Sequence, residues 1–125
     1  MVQFIIYVSD QDRSRDFYRK VLNIEPALDV PGMTEFIFSE SCRLGIMPET
    51  GIAKILGDKT LHPSLGNGIP RCEIYLHVNN VNEYYNRAIK AGAREINPVK
   101  KRDWGDTAGY VSDPDGHIIA FALKN

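Results

Sequence analysis

Two stretches of this chain repeat one design, and that repeat restricts the fold more than any other feature. Gln3-Phe4-Ile5-Ile6-Tyr7-Val8-Ser9-Asp10 and Glu73-Ile74-Tyr75-Leu76-His77-Val78-Asn79-Asn80 match in kind at almost every position. Each starts polar, alternates apolar and aromatic residues, and ends in an Asn or Asp placed to cap a helix. Side chains alternate between the two faces of a strand. Phe4, Ile6 and Val8 therefore share one face and Ile74, Leu76 and Val78 share its equivalent; both are assigned to the core. The opposite faces carry Gln3, Ile5, Tyr7 and Glu73, Tyr75, His77, a polar and aromatic mixture that a solid core would not select. The expectation is that these two faces line a shared cavity.

Each repeat is followed by the same kind of punctuation. Ser9 to Asp12 supplies a cap and an acidic first turn for a helix whose apolar positions, Phe17, Tyr18, Val21 and Leu22, recur at helical spacing. Asn23 suits the left-handed end of that helix. Residues 24–29, 33–39 and 43–47 then read as strands, the first two separated by Pro31-Gly32. From Pro48 to Pro70 the pattern loosens into a linker with one or two turns of helix, long enough to act as a cover. The second half repeats the first. Residues 71–78 form a strand, Asn80 caps a helix carrying Val81, Tyr84, Tyr85, Ala88 and Ile89, and Gly92 ends it. Residues 93–99, 107–112 and 117–123 follow as strands, the last two joined by the turn Asp113-Pro114-Asp115-Gly116. The fold class is α+β: one domain over 1–125, built from two tandem βαβββ modules, 1–48 and 71–125, with a linker over 49–70.

At 125 residues the chain can bury a core without a disulfide, metal or cofactor staple. A net charge of -1, with no basic run longer than Lys100-Lys101-Arg102, leaves no electrostatic footprint for nucleic acid or an anionic membrane. Cys42 and Cys72 lack the spacing of a zinc site or a disulfide framework, and alternation puts Cys72 on the core face. The opening apolar run is too short for a membrane span and has no basic leader. A cytoplasmic protein is expected.

The run Val8-Ser9-Asp10 through Ser14, Phe17-Tyr18 and Val21-Leu22 resembles the opening motif of the vicinal oxygen chelate superfamily. Trp104-Gly105-Asp106 followed by Asp113-Pro114-Asp115-Gly116-His117 is similar to that superfamily's closing hairpin, so the resemblance spans nearly the whole chain. The superfamily includes glyoxalase I, extradiol dioxygenases, fosfomycin-modifying enzymes and drug-binding bleomycin-resistance proteins. It implies a curled mixed sheet around a cavity and a homodimer, and leaves the activity open.

In the family's enzymes the cavity holds a divalent metal. The resemblance places its four ligand positions on Gln3, Gly45, Glu73 and Ala120, and neither glycine nor alanine has a donor side chain. Two remaining donors are too few for a zinc-type site. His77 shares the face of Glu73, but their Cα atoms are about 13 Å apart on an extended strand. His117 falls on the opposite face, and His62 in the linker is the remaining substitute.

Glu73 is the most informative residue. A carboxylate on an apolar and aromatic face is costly unless paired; it is either a salt-bridge partner of Arg43 or Arg71, a ligand contact, or a catalytic base. The resemblance puts Trp104 at the cavity mouth, with simple packing on the sheet as the alternative. Ile5, Tyr7, Tyr75, His77 and Tyr110 complete the ligand-binding candidates, beside Phe36, Phe38 and Met47, although strand aromatics are commonly plain core. The reading that follows is a glyoxalase or bleomycin-resistance-like protein that binds a small molecule, a drug or metabolite, without a metal. The alternatives are a lyase or isomerase similar to glyoxalase I that uses Zn, Ni, Mn or Fe, and a metal-free enzyme with Glu73 as general base. A ring-cleaving dioxygenase is disfavoured because neither Gln3 nor Glu73 is the His that such an iron site resembles.

Overall fold

A computed structural model describes residues 1–125. The chain divides into two compact units, residues 1–19 with 23–67, and residues 20–22 with 68–125. Each contains a four-stranded mixed sheet. No helix is long and apolar enough to cross a membrane.

In the first unit β1 (Val2–Val8) runs parallel to β4 (Cys42–Pro48), which pairs antiparallel with β3 (Met33–Ser39), and β3 pairs with the short β2 (Leu28–Val30). Helix α1 (Gln11–Leu22) starts where the sequence placed it: the Asp10 carboxylate accepts from the Arg13 amide, and Asn23 ends the helix with φ 55°. Its buried positions Ser14, Phe17, Tyr18, Val21 and Leu22 follow the i, i+3, i+4, i+7, i+8 rule. Within the first unit the buried strand residues are Ile6, Val8, Thr34, Phe36, Leu44, Gly45 and Ile46. Each large apolar side chain so buried contributes about 1.5–3 kcal/mol. The Gln11 amide ties the helix to the β2–β3 turn, donating to the Val30 carbonyl and the Thr34 hydroxyl and accepting from the Gly32 amide.

Three expectations for this unit need correction. The second strand is not 24–29 but the shorter Leu28–Val30. Phe36 belongs to the buried core and not to a cavity wall. Phe4, assigned to the core by alternation, is 66% exposed; it shares the face of Leu44, but β1 is an edge strand with a neighbour on one side only. The linker carries the expected turns of helix as α2 (Glu49–Leu56), which rests on β4 and β1, and adds a 3-10 turn over Pro63–Gly66.

In the second unit β5 (Glu73–His77) runs parallel to β8 (Ile118–Leu123), followed in the sheet by β7 (Thr107–Ser112) and β6 (Arg94–Lys101). The Asn80 side chain caps helix α3 (Val81–Lys90), which buries Val81, Tyr85 and Ala88 and lies on β6, β7 and β8. Gly109 makes that packing possible: a β-carbon there would lie 2.6 Å from Val99 Cγ2 and 2.8 Å from Tyr85 Cδ2. The Tyr85 hydroxyl is buried without a hydrogen bond. Burial, and then the neighbouring Glu95 carboxylate, push its pKa up to about 12. The Asp113–Gly116 turn closes with the Gly116 amide donating to the Asp113 carbonyl. The buried Asp113 carboxylate accepts from the Asp115 and His117 amides and meets the His117 ring at 2.7 Å. Cys72, expected on the core face, precedes the strand and is exposed.

Candidate functional site

Strand alternation puts Gln3, Ile5 and Tyr7 of β1 on one face of the first sheet, in register with Arg43, Gly45 and Met47 of β4, and Gly45 is in turn paired with Glu35 of β3. Gln3 Nε2 donates to Glu35 Oε2 at 2.7 Å, and Arg43 Nη1 reaches Glu35 Oε1 at 3.3 Å. Gly45 is what lets the amide cross the sheet, since a β-carbon at this position would sit 2.9 Å from Gln3 Nε2 and 2.9 Å from Ile5 Cγ1. The expected metal position Gln3 is thus engaged by a carboxylate that the sequence reading overlooked. Its signal lay in the alternation of Met33, Glu35 and Ile37 against the buried Thr34 and Phe36.

The second sheet presents a different surface. Glu73, Tyr75 and His77 share a face of β5; Tyr75 is in register with Ala120 of β8, and Ala120 with Tyr110 of β7. The two tyrosines flank the methyl group of Ala120, which is fully buried. The His77 ring meets Tyr75 edge-on, their centroids 5.3 Å apart. Trp104 comes from the loop between β6 and β7 and donates through Nε1 to the Tyr75 hydroxyl at 2.9 Å. That hydroxyl donates to Asp106 Oδ2 at 2.7 Å. An indole that is 59% exposed is therefore held by a hydrogen-bond relay instead of by burial.

Electrostatics on this face are lopsided. The Arg102 guanidinium is occupied by the carbonyls of Ala108 and Pro98 and the amide oxygen of Asn97, and it lies 5.0 Å from the centre of the Tyr110 ring. Glu73 is exposed and forms no ion pair with Arg71 of the same unit, and Arg43 is paired with Glu35 within the first unit. Burial raises the pKa of Tyr75; the Trp104 donation opposes that rise and Asp106 adds to it. Burial also raises the pKa of Tyr110, followed by the charge of Glu73, with Arg102 acting against them.

Of the residues singled out in the sequence, Glu73, Tyr75, His77, Trp104 and Tyr110 come together on the second unit, while Gln3, Ile5 and Tyr7 belong to the first. Asp106 and Arg102 were not anticipated, although Asp106 stands inside the Trp-Gly-Asp motif. No group of three or more His, Cys, Asp or Glu side chains is placed to hold a metal ion. The donor chemistry at the four family positions does not fit one either. Gly45 and Ala120 offer no donor, and Gln3 is committed to Glu35. His62 caps the 3-10 turn, its Nδ1 accepting from the Ser64 amide and lying 2.8 Å from the Ser64 hydroxyl.

Comparison with known proteins agrees with this architecture. A Mycobacterium bovis protein of uncharacterised function, Mb0911c, is 30% identical over 115 residues, covering 90% of this chain and 75% of the relative. The phenazine antibiotic resistance protein EhpR of Enterobacter agglomerans is 29% identical over 118 residues, 92% of this chain and 84% of its own. Among solved structures, a glyoxalase-related enzyme from Fulvimarina pelagi superposes with a TM-score of 0.84 at 20% identity, covering 99% of this chain and 87% of that one. A family model matches residues 1–121, and the chain belongs to the Glyoxalase/Bleomycin resistance protein/Dioxygenase superfamily.

Proposed function

We propose that this protein binds a small planar aromatic molecule, a drug or metabolite, on the open face of its second sheet, without a metal. The observation that carries the reading is the relay from Trp104 through Tyr75 to Asp106. Holding an exposed indole in one orientation before a ligand arrives lowers the ordering cost of stacking on it. The two-donor remnant of the family's chelating positions supports metal independence, and the name of the Enterobacter agglomerans relative supports the phenazine class as a first probe. A cytoplasmic homodimer, as the family resemblance implies, is part of the same proposal.

Trp104 is the only tryptophan, so its fluorescence reports on the site alone. Titration with phenazine probes, with and without chelator, is expected to give saturable binding that the chelator does not alter. Binding that needs an added divalent metal, or turnover of the methylglyoxal–glutathione hemithioacetal that chelator abolishes, would favour the glyoxalase-like lyase instead. Turnover that persists in chelator and is lost in Glu73→Gln would favour the metal-free enzyme.

A further inference from the structure

We propose that the second sheet's open face selects a planar organic cation over its neutral or anionic isosteres. This rests on the binding reading above and adds to it the charge of the ligand. Trp104, Tyr75 and Tyr110 bring three aromatic rings to this side of the sheet, and a cation is attracted to an aromatic ring, as the Arg102 guanidinium 5.0 Å from the Tyr110 ring centre already is. The two carboxylates on or beside that surface are not neutralised. Glu73 has no hydrogen bond or ion pair, and the only side chain bonded to the Asp106 carboxylate is the neutral Tyr75 hydroxyl.

Arg102 keeps its positive charge but bonds to neither carboxylate. Its hydrogen bonds go to the Ala108 and Pro98 carbonyls and the Asn97 amide oxygen, and its guanidinium lies 5.0 Å from the centre of the Tyr110 ring. Lys100 is opposite Ala108 on β6, while Glu73 is on β5 at the other edge of the sheet. Three strand spacings put them about 14 Å apart, beyond a Debye length in physiological salt. Burial is the first cause of the raised pKa values at Tyr75 and Tyr110, and the Asp106 and Glu73 carboxylates add to it, against Arg102 at Tyr110. A ligand carrying a fixed positive charge in its ring system would meet both the π-faces and the carboxylates. A carboxylated ligand of the same shape would meet repulsion.

The test is calorimetric titration of the full chain with three phenazines that share one tricyclic ring system: neutral phenazine, the N-methylphenazinium cation and the phenazine-1-carboxylate anion. The cation is expected to bind about tenfold or more tightly than neutral phenazine, and the anion more weakly than either. Raising the salt concentration should erode the preference for the cation and leave neutral phenazine unaffected. Glu73→Gln, at an exposed strand position, should cut the cation's affinity about three- to tenfold with little change for neutral phenazine. Asp106→Asn, which still accepts from Tyr75, should do the same while keeping the indole in place. Equal affinity for neutral and cationic probes, or a preference for the anion, would overturn the charge assignment and leave the binding reading standing. Absence of binding by all three would overturn both.

Discussion

The Tyr75 hydroxyl stands between a donor and an acceptor, 2.9 Å from the Trp104 indole nitrogen and 2.7 Å from the Asp106 carboxylate. Neither partner is adjacent to it in the chain, and without it the indole has no bond to the sheet. Tyr75→Phe removes both bonds, the neutral one to Trp104 worth about 0.5–1.5 kcal/mol net and the one to the Asp106 carboxylate about 1.5–3 kcal/mol. Acrylamide quenching of Trp104 fluorescence should rise, and affinity for a phenazine probe should fall about tenfold. An unchanged quenching constant would show that the relay does not hold the indole.

Gly116 and Gly32 allow a controlled comparison. Both have positive φ, 92° and 96°, but a β-carbon on Gly116 would meet the Gly68 backbone at 2.8 Å while one on Gly32 would meet nothing. Gly32→Ala should lose about 1 kcal/mol from backbone strain alone. Gly116→Ala should lose roughly 1–3 kcal/mol more, because backbone must move. Urea denaturation of the two variants isolates the close approach of the two glycines.

Tyr85→Phe should change stability little, since the buried hydroxyl it removes has only the neighbouring Glu95 carboxylate beside it, outside hydrogen-bonding geometry. The folded state raises this phenol's pKa from 10 to about 12. Between those values the unfolded chain releases the proton and the folded one retains it, so stability falls as pH rises through this window. Wild type should lose more stability from pH 10 to 12 than Tyr85→Phe does, as read from denaturation midpoints.

The Gln3–Glu35 bond predicts a coupling. Gln3→Ala and Glu35→Ala in a double-mutant cycle should show an interaction of about 1–2 kcal/mol, because one partner is charged. Zinc or nickel should not shift the melting temperature. Stoichiometric metal retained through purification and lost on mutating Gln3 would show that the amide is a ligand after all.

Much of the architecture was legible because periodicity and caps are local. Asp10, Asn23 and Asn80 bound the helices as their side-chain chemistry requires, and strand parity sorted Tyr75 and His77 onto one face. Parity failed at Phe4, since alternation reports which face a side chain takes and not whether anything covers it at a sheet edge. It failed again at Cys72, which lies outside the strand that was meant to orient it.

The sequence by itself determined the two βαβββ modules, the family and the loss of donors at Gly45 and Ala120, because these depend on residue type, order and spacing. Which polar groups meet depended on the register between strands far apart in the chain. Only the tertiary structure brought Glu35 across Gly45 to Gln3, and Asp106 and Trp104 to the two sides of the Tyr75 hydroxyl. A hydrogen bond requires about 3 Å and a direction, and no pattern along a chain specifies either for residues some thirty positions apart.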